Sequence, residues 1–229
     1  MTDRSASKPF PAGGRVGIFG GTFNPVHDCH LEVAQACLDL LGLDRVLFIP
    51  AGDPPHRHTA LAPARDRLEM VRLALAGHPR FAVSDVELRR SGPSYTADTL
   101  AILKAAHPEV SWTLILGLDA VLGLPSWHRP EFVVRQCPIA IPFRPGAGFR
   151  ELARCATLAG VDFGPLEAAT GTTPFHLTSP DGIELIPLPI TPCPTSATQV
   201  RADLKSGKSP IPGLSPTVTA YIIEHSLYA

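Results

Sequence analysis

The chain contains no run of about 18 consecutive apolar residues, so no segment of it reads as a membrane-spanning helix. Its opening stretch, MTDRSASKPFPAGGR, lacks the apolar core of a secretory leader. Residues 1–14 therefore read as a short flexible tail, and a cytoplasmic location is expected. A net charge of -1, from 20 Lys and Arg against 21 Asp and Glu, rules out the global basic field that non-specific nucleic-acid binding needs. Any anion site must be local. The five cysteines are odd in number and include no Cys-x-x-Cys pair, so neither a disulfide framework nor a thiolate zinc site is expected. Most of them read as small buried hydrophobes. Internal repeats, low-complexity tracts and an evident nucleophile–base triad are missing as well.

What is present is the alternation of an α/β protein. Hydrophobic residues make up 45% of 229, ample for a substantial core. Strand-length apolar runs fall at 16–19, 45–49, 81–84, 112–116, 139–143 and 184–187, with helical periodicity between them. That pattern predicts a doubly wound parallel sheet covered by helices, Rossmann-like, in one domain over 15–229. A small helical C-terminal subregion is expected over 195–229. Helices are predicted from about residue 28 to Leu41, ended by Gly42, and over 63–76, 96–106, 196–206 and 216–225. The stretch 145–181, rich in Gly, Ala, Thr and Pro, carries no clear pattern. Proline is abundant at 25 residues, many of them in loops such as AGDPPHR and LPITPCPTSA.

The first strand runs into Gly20-Gly21-Thr22, where glycines at a strand–helix junction let a backbone approach a phosphate. The order is neither the Gly-x-Gly-x-x-Gly of dinucleotide-binding folds nor the Gly-Lys-Ser/Thr of a P-loop. The residues that follow must do that work. His27 and His30, three apart, face one side of the helix start and can each offer a donor to an oxygen there. Water-satisfied histidines are the bland alternative. A metal site drawing on His56 and His58 is a third, without a carboxylate at clear ligand spacing. Ser196 with Gln199 three residues on forms a capping box, and a capped helix N-terminus is also an anion site with Thr198 and Arg201 on one side. Ser94 or Thr96 reads as the cap of the third helix. Asp119 could cap a short helix after Gly117, and Trp127 alone reads as packing.

Read together, GGTFNPVHDCH closely resembles the Gly-Gly-Thr-Phe-(Asp/Asn)-Pro-x-His-x-Gly-His signature of the nucleotidylyltransferase superfamily. IPAGDPPHR, DVELRRSGPSYTADTL, LILGLDAVLGLPSWHR, PTSATQVR and VTAYIIEHSLY resemble, in order, the further motifs of the bacterial nicotinate-nucleotide adenylyltransferases. The match covers nearly all of the chain from Arg15. The resemblance implies transfer of the adenylyl group of ATP to the 5′-phosphate of nicotinate mononucleotide, giving deamido-NAD and pyrophosphate, with Mg²⁺ bridging the triphosphate. By the same resemblance His27 and His30 bind ATP phosphates and stabilise the transition state. Gly20, Gly21, Thr22, Phe23, Ser196, Thr198 and Arg201 form the rest of the ATP site. His56, Arg57, Tyr95, Thr96, Asp119 and Trp127 are the candidate contacts of the pyridine nucleotide, with Trp127 stacking on its ring. No resident metal site, nucleic-acid partner or membrane is implied, and a homo-oligomer is left open.

Three residues depart from the family pattern. Cys29 stands where the family has glycine, Arg57 where it has lysine, and Ala197 where it has a second serine. Cys29 adds a Cβ and a sulfur between the two histidines, which is the main support for a catalytically weak nucleotide-binding module as an alternative. Arg57 offers a two-point fork in place of a point charge. Nicotinamide mononucleotide or another phosphorylated acceptor such as phosphopantetheine is the alternative substrate, because the choice rests on backbone donors that sequence does not display.

Overall fold

Residues 15–21, RVGIFGG, form the central strand β1, whose residues Val16, Gly17 and Ile18 are buried. The structure, a computed structural model, describes residues 10–55, 61–143, 155–158, 160–161, 174–191 and 193–228. β1 pairs in parallel with β2 (Arg45–Pro50) on one side and with β4 (Ser111–Ile115) on the other. With β3 (Phe81–Val83), β5 (Ile139–Phe143), β6 (Leu177–Thr178) and β7 (Glu184–Pro189), the sheet order is β3-β2-β1-β4-β5-β7-β6. All neighbours are parallel except β6, which runs antiparallel to β7. The doubly wound parallel sheet expected from the sequence is thus the observed one. The chain winds outward from β1 in both directions, leaving a crevice above the C-terminal ends of β1 and β4, where open α/β sheets bind ligands.

Two apolar layers cover the sheet. Helix α1 (Asp28–Leu41), α2 (Ala64–Ala74) and the last helix, α7 (Pro216–Glu224), cover one face, where Leu38, Phe48, Met70, Val71 and Ile222 are all at 1% exposure or less. The second layer joins α3 (Thr96–Ala106), α4 (Leu118–Leu122) and α5 (Pro130–Val134) to the other face through Ile18, Leu100, Leu114 and Ile139. Helix α6 (Ala197–Lys205) precedes α7. Gly17 permits the close approach of the first layer, because a Cβ there would lie 2.8 Å from Ile115 Cδ1 and 2.9 Å from Leu43 Cδ1. Gly42 ends α1 as expected, at φ 60 with its N–H donating to the Leu38 carbonyl.

Several expectations need correction. Residues 10–14 do not behave as a free tail, because Phe10 is 5% exposed and meets Trp112 edge-on with ring centroids 5.3 Å apart. Neither Ser94 nor Thr96 caps α3: the N-cap is Tyr95, with no side-chain cap bond, and Ser94 is engaged elsewhere. Asp119 lies in the first turn of α4, whose N-cap is Gly117. Short α5 and the two-residue β6 had no sequence signal, being too brief for a period to show. Most of 145–181 lies outside the described residues. The largest correction concerns cysteine: Cys29 and Cys193 form a disulfide across 164 positions, while Cys37, Cys137 and Cys155 are free. Counting and spacing could not find a pair that only the fold brings together.

Candidate active site

The turn after β1 is held from three directions. Phe23 takes a left-handed conformation, φ 48, which swings its ring against Phe19, Phe48 and His30. The Asn24 carbonyl accepts a 2.8 Å bond from the Arg201 guanidinium of α6, and Asn24 Oδ1 accepts from Ala62 N–H and from the Tyr228 hydroxyl. Arg201 also reaches Thr198 Oγ1 at 3.3 Å. The glycine-rich motif after β1 and the PTSATQVR motif are therefore brought into contact, 177 positions apart. Ser196 caps α6 by accepting from Gln199 N–H, as read from sequence, but the Gln199 side chain turns to Asp203 and leaves the box half made.

His27 is the N-cap of α1, and its ring lies over that of His30 with centroids 3.8 Å apart. His30 Nδ1 accepts a bond from His27 N–H at 3.1 Å. That acceptor role fixes the neutral tautomer with the proton on Nε2, which makes His30 a donor toward whatever faces it. Burial holds the His27 pKa down to about 4. Burial, and secondly the His27 charge, hold His30 to about 3, against a smaller raising effect of the His27 hydrogen bond. Both rings are therefore neutral near pH 7, and His27 Nδ1 is buried with no partner among the described residues. A buried unpaired ring nitrogen at a helix N-terminus is a group that a ligand can satisfy.

Beside this pair a cavity of about 340 Å³ opens above β1 and β4. Gly20, Gly21 and Thr22 form one edge; Tyr95, Thr96 and Trp127 line the interior. A Cβ on Gly20 would meet no protein atom within 4 Å, so a side chain there would occupy space open to a ligand. Of the expected nucleotide contacts, Tyr95, Thr96 and Trp127 are thus brought together, whereas Asp119 is exposed and outside that lining. His56 and Arg57 fall outside the described residues.

Ser94, read from sequence only as a cap, and three residues not singled out from sequence complete the site. Ser94 Oγ accepts from Gly52 N–H and Asp53 N–H, clasping the loop after β2 to the start of α3. His128 lines the cavity and stacks on Tyr95 at 4.3 Å. Glu87, also at the wall, accepts a 2.6 Å bond from the Thr99 hydroxyl; burial pushes its pKa up, against the opposing effect of hydrogen bonds from Thr99 and Ser94. Arg67 is 1% exposed and donates to the carbonyls of Ala62, Thr22 and Gly52 at 3.0, 2.7 and 3.2 Å. It joins the glycine turn at Thr22 to the loop after β2 at Gly52. In sequence it is one of several charged residues on an amphipathic helix, with nothing to distinguish it from Arg65 or Arg72.

Residues 18–202 match the family model described as cytidylyltransferase-like. A protein of Gloeobacter violaceus named "Probable nicotinate-nucleotide adenylyltransferase" is 40% identical over 94% of this chain and 97% of its own. One of the same name from Pseudomonas entomophila is 41% identical over 93% and 94%. Among solved structures, the Plasmodium falciparum nicotinic acid mononucleotide adenylyltransferase complexed with NaAD superposes with a TM-score of 0.70 at 18% identity, over 94% of this chain and 97% of that one. The fold is shared with that enzyme, and the sequence relationship is carried by the bacterial proteins. This chain belongs to the cytidylyltransferase-like family and, within it, to the nicotinate-nucleotide adenylyltransferases.

Proposed function

We propose that the chain transfers the adenylyl group of ATP to the 5′-phosphate of nicotinate mononucleotide, releasing pyrophosphate and forming deamido-NAD, in NAD biosynthesis. The observation that carries this reading is the closeness in the chain of the neutral His27–His30 pair to Gly20-Gly21-Thr22, which line the cavity holding Tyr95 and Trp127. A phosphate monoester is largely dianionic near pH 7, its second pKa being about 6, so the nucleophile needs no strong base. The protein's task is in-line placement of two phosphates and stabilisation of charge as it builds on the transferring group.

In this reading the ATP phosphates lie across the N-termini of α1 and α6. His30 Nε2–H, the His27 ring, Thr198 and Arg201 donate to their oxygens, and Phe23 and Ser196 hold the backbone that presents those donors. The pyridine ring lies against Trp127, with the Tyr95–Thr96 backbone at the start of α3 facing its substituent. Mg²⁺ enters as part of the MgATP substrate, ligated by phosphate oxygens and water. The donor set fits that arrangement, since imidazole N–H, hydroxyl and guanidinium groups bind phosphate oxygens and leave the metal to them. The cytoplasm, where ATP is plentiful, is the compartment that suits the reaction.

The test is incubation with MgATP and, separately, nicotinate mononucleotide, nicotinamide mononucleotide or phosphopantetheine, with products separated by chromatography. Deamido-NAD forming fastest is the expected result. Dinucleotide from the nicotinamide substrate alone, or no product from any acceptor, would overturn the assignment.

A further inference from the structure

The disulfide joins the two walls of the ATP site. Cys29 lies at the second position of α1, between His27 and His30, and Cys193 lies three residues before the Ser196 cap of α6, with Cα atoms 5.5 Å apart. That spacing suits a disulfide without movement of either backbone. The segment between Cys193 and α6 is packed closely here. The Thr195 carbonyl lies 3.1 Å from Cys29 Sγ, a Cβ on Gly213 would collide with the Thr195 side chain, and the Gly213 carbonyl accepts from Asp28 N–H at the start of α1.

The two sulfurs differ in access. Cys29 is 9% exposed, in the first turn of α1 between the two histidines in sequence. Cys193 is half-buried and lines a second surface cavity of about 340 Å³, walled by Val33, Ala36 and Leu40 of α1 and by Ile190. This cavity, between α1 and the residues that follow β7, shares no lining residue with the one that holds Tyr95 and Trp127. A reagent can therefore approach the bond from outside while the nucleotide site is full.

We propose that Cys29–Cys193 is a thiol–disulfide exchange site, reduced by dithiols that attack Cys193, and that its redox state sets the affinity for ATP. One thiolate of the dithiol attacks Cys193 Sγ, the bond to Cys29 breaks, and Cys29 leaves as thiolate and takes up a proton. The second thiol of the reductant then displaces Cys193 from the mixed disulfide. Two electrons and two protons pass to the protein, and the dithiol becomes a disulfide. The Cys29 S–H so formed faces the Thr195 carbonyl as a donor.

The oxidised bond fixes the segment that leads into α6 against the start of α1. Reduction frees that segment, and ATP must then order it on binding, which raises the KM for ATP. The pyridine-nucleotide cavity is lined by neither cysteine, so its KM is unaffected. The inference rests on the assignment of the α1 and α6 N-termini to ATP.

The protein is equilibrated with oxidised or reduced dithiothreitol, then denatured and alkylated for mass spectrometry, and assayed in parallel in both states. Of the five cysteines, three should alkylate after oxidation and all five after reduction. The KM for ATP should rise about fivefold on reduction, the scale expected when a few side chains must be ordered by the ligand. Nicotinate mononucleotide KM should stay constant. Cys193→Ser should show the reduced KM under both conditions. Five reactive thiols after oxidation, or an ATP KM that is equal in both states or lower on reduction, would overturn the proposal while leaving the adenylyltransferase reading in place. Absence of product in both states would overturn that reading and this inference with it.

Discussion

At the scale of single residues, the candidate site holds two neutral histidines. The His27 and His30 pKa values, about 4 and about 3, lie below the usual 6.5 because a charge on either ring would be desolvated, and the second ring would also meet the first. The sign of the resulting pH dependence follows directly. Between pH 6.5 and about 4 the unfolded chain binds protons at these residues that the native state excludes, so this pair's contribution to stability falls as the pH falls. Phosphates placed against the rings should reverse the shift, since an anion favours imidazolium. Nuclear magnetic resonance titration should therefore show neither ring protonating between pH 8 and 5 in the free protein, and upward-shifted midpoints with a non-hydrolysable ATP analogue bound. Titration of both rings near 6.5 in the free protein would contradict the buried arrangement. The type and spacing of these two residues were legible in the sequence. Their neutrality was not, since it comes from burial that exists only in the folded chain, where Phe23 packs edge-on against His30.

At the scale of elements, strands and longer helices were legible because apolar residues recur at periods of two and 3.6, and the six strands read from sequence are all present. Caps were legible only in part. Ser196 caps α6 by accepting from Gln199 N–H three positions on, whereas Ser94 is drawn away from α3 by two N–H groups of a loop 41 and 42 positions earlier. A side chain with one acceptor oxygen and two possible tasks cannot be assigned without knowing which partner the fold brings near. The two serines accordingly give different outcomes. Ser196→Ala should cost about 1 kcal/mol in stability, as cap removal does, and raise the KM for ATP more than that for the pyridine nucleotide. Chemical denaturation and steady-state kinetics measure the two effects, and an unchanged ATP KM would remove the α6 N-terminus from the phosphate site.

At the scale of the molecule, the sheet order places the glycine turn and the cavity side by side but does not by itself fix their distance. The turn at Thr22 follows the glycines that end β1, and the cavity loop follows β2; each would be free to drift if only its own strand held it. Arg67 couples them, because a guanidinium presents several donors in one rigid plane and here three carbonyls from separate segments converge on it. Burial depresses its pKa, with weaker raising effects from the charges of Tyr228 and Glu87, but the group keeps its charge, since arginine remains protonated in proteins. Removing it should therefore do more than open a void. Arg67→Met leaves three carbonyls without their donor, a loss of about 3 kcal/mol or more, which for a chain of this length lowers Tm by roughly 6–12 °C. Arg67→Lys keeps a cation but cannot reach three acceptors in one plane, and should recover less than half of that loss. Both variants should raise the KM for ATP and for nicotinate mononucleotide together, since one side chain holds both edges. Calorimetry and a two-substrate kinetic matrix provide the measurement. A rise confined to one substrate, or full rescue by lysine, would mean that the two loops are positioned independently and that the sheet alone sets the distance between them.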